Sequence, residues 1–178
     1  MHDDLLSAGP LAVIVMGVSG SGKSTLGAAL ATAIGCSFLE GDDFHAPESV
    51  EKMRAGIPLT DGDRWPWLDR LGRSISAGVA GNAIVVAACS ALKRAYRDRL
   101  RAAITAPVGF VLMDASREEL LHRLTARTHH YMPASLLTSQ LDTLERPGPD
   151  EPAIAVDATR PLADSCEQTI AWLLERFG

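Results

Sequence analysis

The sequence predicts a three-layer α/β fold, a parallel sheet between two layers of helices, on three observations. Short apolar runs of strand length alternate with longer stretches whose apolar residues recur at three and four spacing. The chain between successive runs is long enough for a crossover helix. With 178 residues, of which 47% are hydrophobic, there is apolar material for one core and little room for a second.

Taken in order, the first run, Leu11–Met16, is apolar at every position, as expected of a central parallel strand buried on both faces. Further strands are expected over residues 36–39, 83–88, 108–113 and 153–156. Helical spacing covers residues 24–34, 66–79, 92–104, 116–127 and 162–177, and Ser116 with Glu119 has the spacing of a capping box. The turn-forming cluster at 145–152 reads as a loop before the last strand rather than a boundary, so residues 1–178 are expected to form a single domain.

Composition excludes several classes of function. Seventeen basic against 22 acidic residues leave a net charge of −5, the wrong sign for a surface that wraps polynucleotide or lies on anionic lipid. The three cysteines, Cys36, Cys89 and Cys166, are odd in number and lack metal-ligand spacing, which points to a reducing compartment rather than a disulfide framework. The acidic start, Met1-His2-Asp3-Asp4, is unlike a signal peptide, and no apolar run approaches the roughly 20 residues of a membrane span. A cytoplasmic protein without nucleic-acid or membrane partners is expected.

The most informative stretch is Gly17-Val18-Ser19-Gly20-Ser21-Gly22-Lys23-Ser24, which matches G-x-x-x-x-G-K-[ST] between an expected strand and an expected helix. Glycines let successive backbone N–H groups turn inward onto phosphate oxygens. Lys23 supplies charge to the β and γ phosphates, and Ser24 offers a hydroxyl to Mg²⁺. The helix that continues through Thr25 points its positive end at the anion. ATP with Mg²⁺ is the expected ligand. A guanine-specific switch would need an Asn-Lys-x-Asp motif, yet the sole asparagine, Asn82, is followed by Ala83. Motors and transport ATPases carry coupling elements for which this chain has little space. Transfer of phosphate to a small acceptor fits better.

Residues for that acceptor cluster after later strands. Asp42, in Glu40-Gly41-Asp42-Asp43-Phe44-His45, falls at the carboxyl edge of the sheet, where open α/β folds collect ligands. It can orient and deprotonate an acceptor hydroxyl or hold a Mg²⁺-bound water. The stretch 59–68 joins paired acids, Arg64, Trp65 and Trp67 into an expected pocket wall, and Arg64 suits a carboxylate or polyol. Ser90 is a candidate acceptor ligand where the next helix is expected to open; Lys93 and Arg97, four apart, are expected on one helical face. Arg123 and Arg127 lead into an expected mobile lid over about 123–140, which would neutralise the transferring group and exclude water.

These motifs together closely resemble the bacterial gluconokinases. The resemblance runs through the phosphate loop, Gly41-Asp42 with His45 and Pro47, Lys52-Met53, Gly56-x-Pro58-Leu59, Asp61-x-Asp63-Arg64 and Pro66-Trp67-Leu68. It continues in 89–93, Tyr96-Arg97-Asp98, Arg123, Arg127, His130, Ser139-Gln140-Leu141, 143–145, Asp157 and Pro161-Leu162, nearly the whole chain. It implies a P-loop kinase of the nucleoside-monophosphate-kinase-like type, with a five-stranded parallel sheet, a lid, ATP and Mg²⁺, and often a homodimer. The implied reaction is phosphorylation of gluconate to 6-phosphogluconate. By the same resemblance Lys23 and Ser24 hold phosphates and metal, and Asp42 meets the acceptor hydroxyl or the metal shell. His45, Lys52, Arg64, Ser90 and Arg97 become gluconate-binding candidates. Arg123 is matched to adenine and Arg127 to the transferring phosphate. The third expected strand ends in Cys89-Ser90, with no acid to act as a Walker B ligand, so the metal would rest on Ser24 and Asp42. A kinase of the same fold acting on shikimate or a nucleoside monophosphate, and a regulatory module that holds ATP without transferring phosphate, remain alternatives.

Overall fold

Continuous apolarity makes Leu11–Met16 (β1) the centre of the sheet, because only a strand covered on both faces can bury every side chain. A computed structural model of the protein describes residues 5, 7, 9–81, 83–126 and 133–178. After β1 come helix α1 (Lys23–Ile34), β2 (Ser37–Glu40), a 3₁₀ turn (Gly41–Phe44), α2 (Pro47–Arg54) and α3 (Asp61–Gly78). Then follow β3 (Ile84–Ala88), α4 (Arg94–Ala103), β4 (Val108–Asp114), α5 (Arg117–Ala126), α6 (Ala134–Thr143), β5 (Ala153–Asp157) and α7 (Leu162–Phe177).

All four pairings are parallel, and the strand order is β2-β3-β1-β4-β5. The two-residue period of β1 divides the core. Ala12, Ile14 and Met16 pack with Trp67, Leu71 and Ile75 of α3 and with Tyr96 and Leu100 of α4. Val13 and Val15 face Leu26, Leu30 and Ile34 of α1 and Leu173 of α7. The strand order reverses direction at β1, so the loops leaving β1 and β3 diverge over its carboxyl end and open a crevice there. The three-layer expectation holds, and each expected strand lies within one residue of the observed one at either end.

The departures have local causes. Helix α3 begins at Asp61, not at 66, because Thr60 accepts from the Asp63 N–H while the Asp63 carboxylate accepts from the Thr60 N–H. This reciprocal cap sets the helix start although Pro66, inside the helix, has no N–H to give to the Gly62 carbonyl. At Ser116 the hydroxyl does accept from the Glu119 N–H, at 3.1 Å, but the Glu119 side chain turns to Arg123. Helices α2 and α6 lay outside the sequence-based expectation. No helix among the described residues is long and apolar enough to cross a membrane.

Candidate active site

The phosphate loop bridges β1 and α1. Gly20 and Gly22 take left-handed backbone at φ 80 and 92, a conformation that glycine adopts without the crowding a Cβ brings. Helix α1 opens at Gly22 with no side-chain cap and no acid in its first turn. Its first amides therefore point outward unopposed, a donor set that fits a phosphate. Lys23 is buried, Ser24 is half-buried and Thr25 is exposed. The Ser21 hydroxyl is buried and has no hydrogen-bond partner among the described residues. The Val18 side chain packs into the core, so this residue can serve a nucleotide only through its backbone.

Across the crevice a cavity of about 220 Å³ is lined by Ser19 and Lys23 on one side and by Asp42, His45, Arg64 and Ser90 on the other. Pockets for drug-sized ligands start at roughly 300 Å³, so this space suits a small acceptor better than a second nucleotide. Each lining group is held by its element. Asp42 sits on the 3₁₀ turn, which is pinned because the Trp67 indole N–H donates to the Gly41 carbonyl at 2.7 Å. The turn lies so close to β3 that a Cβ on Gly41 would come 2.2 Å from the Ala88 carbonyl oxygen.

His45 stacks on Trp67 with ring centroids 4.1 Å apart, and its Nε2 lies 3.9 Å from Asp42 Oδ1. Its side chain is 4% exposed. Burial pushes its pKa down to about 4 against the pull of Asp42, and Arg64 and Arg70 add to the depression. The ring is therefore neutral at physiological pH, with a buried Nδ1 that has no partner among the described residues. A neutral imidazole with a free nitrogen suits a hydroxyl.

Arg64 is aimed by a chain of bonds. It donates to the Tyr96 hydroxyl at 3.1 Å, Tyr96 donates in turn to Asp61, and Lys93 donates to Asp61 at 3.1 Å. The Tyr96 and Lys93 bonds hold the Asp61 carboxyl below its usual range. Cys89, behind the site, is a buried thiol pushed up to about 12 by desolvation, which leaves it without nucleophilic character.

Two expected acceptor ligands are used elsewhere. The Lys52 ammonium donates to both oxygens of Asp63, at 2.8 and 2.9 Å, and braces α2 against the start of α3. That contact holds the Asp63 carboxyl down to about 2. Arg97 has no exposed surface and closes an ion pair with Glu151. Neither residue lines the cavity. Lys93 and Arg97 share no solvated face, since α4 starts only at Arg94 and Lys93 precedes it as the cap. The helix expected to open at Ser90 therefore presents no N-terminus to the cavity.

Arg123 lies against the back of the loop: it donates to the Ser21 carbonyl at 3.2 Å and to the Ala158 carbonyl, and pairs with Glu119. Arg127 lies outside the described residues. Sequence reasoning assigned no role to Gln140, although α6 brings its side-chain oxygen to accept from the Ser19 N–H at 2.7 Å and roofs the cavity with Leu136 and Ser139. The spacing of Leu136, Leu137, Leu141 and Leu144 was the available signal for this helix.

The chain is similar to known proteins over most of its length. The AAA domain family matches residues 13–147. The gluconokinase of Gluconobacter oxydans (strain 621H) is 49% identical over 163 residues, 89% of each chain. The thermosensitive gluconokinase of Escherichia coli (strain K12) is 42% identical over 156 residues, covering 87% of this chain and 83% of that one. A solved gluconokinase structure from Sinorhizobium meliloti 1021 superposes with a TM-score of 0.85 at 46% identity, with 94% of each chain covered.

Proposed function

This chain belongs to the gluconokinase family, and we infer that it transfers the terminal phosphoryl group of ATP to D-gluconate, giving 6-phospho-D-gluconate. One observation supports the division of labour most directly: a single cavity is lined by the phosphate loop on one wall and by Asp42, His45, Arg64 and Ser90 on the other. Gluconate is an anionic polyol and needs a cation for its carboxylate and several partners for its hydroxyls. Arg64 takes the carboxylate; Ser90 and neutral His45 take hydroxyls.

Lys23 and the amides of residues 20–24 hold the triphosphate, and Arg123 flanks the nucleotide side of the loop. Asp42 accepts the proton of the attacking hydroxyl. An oxygen–phosphorus bond forms from that hydroxyl while the bond to the β,γ-bridging oxygen breaks, and ADP leaves. Ser24 and Asp42 would hold a magnesium ion, which supplies charge neutralisation on the triphosphate. Helix α6 excludes water that would otherwise hydrolyse ATP, and Arg127 meets the transferring phosphate. The reading extends to residues 1–178 as one kinase domain with its lid over about 123–140, working as a cytoplasmic homodimer.

The test is a coupled ATP assay with magnesium across gluconate, other sugar acids, shikimate and nucleoside monophosphates. Turnover with gluconate and little with the others is expected, because a site built to pair hydroxyls penalises acceptors that leave its polar groups unmatched. Preferential turnover of shikimate or a nucleotide overturns the reading.

A further inference from the structure

Arg97 of α4 carries five donors into the interior, and all of its observed bonds are internal. Its Nε and Nη2 donate to Glu151 at 2.7 and 3.0 Å. Its Nη1 lies within hydrogen-bonding distance of three carbonyl oxygens, those of Ala91 at 3.0 Å, Leu92 at 3.3 Å and Glu145 at 3.0 Å. Two of these carbonyls belong to the turn that joins β3 to α4. Within it, Ala91 sits at φ 43, alone among the described non-glycine residues in left-handed backbone. An L-residue resists that conformation because its Cβ crowds the carbonyl oxygen, and it persists only where the surroundings over-determine it.

The residue before the strained position is Ser90, which lines the cavity. The Ser90 carbonyl also accepts from the N–H of Gly17, the first residue of the phosphate loop, at 3.3 Å. The turn is thus tied at one end to the nucleotide site and at the other to a guanidinium whose planar fork reaches carboxylate and carbonyls together. A lysine ammonium cannot span these acceptors.

We propose that Arg97 is a positioning residue for the acceptor: it clamps Ala91 in the left-handed conformation and thereby sets the Ser90 hydroxyl against gluconate. The proposal rests on the reading of Ser90 as a gluconate ligand. The competing role is support of the 145–151 loop alone, through Glu145 and Glu151.

The test compares the parent enzyme with R97K, the double variant A91G/R97K, S90A and S90A/R97K, each assayed for gluconate KM and ATP KM. R97K keeps a charge beside Glu151 but releases the turn, so gluconate KM is expected to rise about tenfold with ATP KM within about twofold of the parent. In A91G/R97K the glycine occupies left-handed backbone without strain, and gluconate KM is expected to return most of the way to the parent value. S90A alone raises gluconate KM, and R97K adds little in that background, because both changes act through one contact.

A parallel rise in both KM values, or no recovery in A91G/R97K, overturns the clamp and leaves Arg97 as loop support. If R97K does not fold, A91G/R97K decides: a folded enzyme with near-parental gluconate KM supports the proposal, and a second failure to fold overturns it. S90A with unchanged gluconate KM overturns the Ser90 reading itself, and the clamp's purpose with it. An effective S90A with fully additive R97K overturns the clamp alone.

Discussion

Asp42 and His45 share one short turn and line the same cavity wall, one as an exposed carboxylate and the other as a buried neutral ring. Asp42 is exposed to the cavity and solvent, so its carboxylate oxygens are open to the proton of a hydroxyl placed in the cavity. Asp42→Asn keeps shape and hydrogen bonding but removes that capacity, so kcat is expected to fall about 100-fold or more. Steady-state kinetics in both substrates checks it, and a kcat near that of the parent counts against the proton-acceptor role. His45 makes a prediction about stability. Its pKa of about 4 lies below the ordinary 6.5 because burial disfavours the cation. Between pH 6.5 and 4 the unfolded chain therefore binds a proton that the folded chain refuses. The stability contributed by the neutral ring is complete above pH 6.5 and is lost as pH falls toward 4. Because Asp42, Arg64 and Arg70 act on the same ring, the comparison is with His45→Gln, whose denaturation midpoint is expected to fall less over that window. Parallel profiles would exclude the effect.

Among the elements, the 3₁₀ turn after β2 tolerates least change. A Cβ on Gly41 would collide with the backbone oxygen of Ala88, and neither partner is a flexible side-chain end. Gly41→Ala is expected to destabilise the fold by about 1–3 kcal/mol and to displace Asp42, lowering kcat as well as the melting midpoint. Gly62 provides the contrast. A methyl there meets only Thr60 Oγ1 at 3.6 Å, so Gly62→Ala at the exposed start of α3 is expected to leave kcat unchanged and to hold or slightly raise the melting midpoint. Equal loss in the two variants would deny the turn its special role. The same elements mark how far the sequence was legible. The strands and the longer helices are written in apolar periodicity. Helix α2 is eight residues with little apolar pattern, and its start and stop signals, Pro47 at one end and Lys52 and Arg54 at the other, are all that mark it. The true capping box, Thr60 with Asp63, begins six residues before the apolar stretch that betrays α3.

At the scale of the whole molecule, the phosphate loop, the sheet edge and the α6 roof converge on one crevice, so ligand binding is coupled to global unfolding. A ligand at 100 times its Kd stabilises by about 2.7 kcal/mol, which for a chain of this size corresponds to a rise in melting temperature of about 5–10 °C. ATP with magnesium is expected to give such a shift in the parent and none in Lys23→Met, measured by thermal denaturation at fixed protein concentration. An equal shift in both proteins would place the nucleotide elsewhere.

The α/β class, the phosphate loop and the chemical types gathered at the strand ends were legible in the amino-acid order, because periodicity and glycine placement are local properties that the chain carries before it folds. Which cations face the cavity was settled by the folded packing alone. Lys52, Arg64 and Arg97 look equivalent as letters, and each finds a different carboxylate or hydroxyl: Asp63, Tyr96 backed by Asp61, and Glu151. Those partners lie 11, 32 and 54 residues away along the chain. A long-range contact sets whether a guanidinium or ammonium is available to a ligand, and one-dimensional spacing holds no record of it.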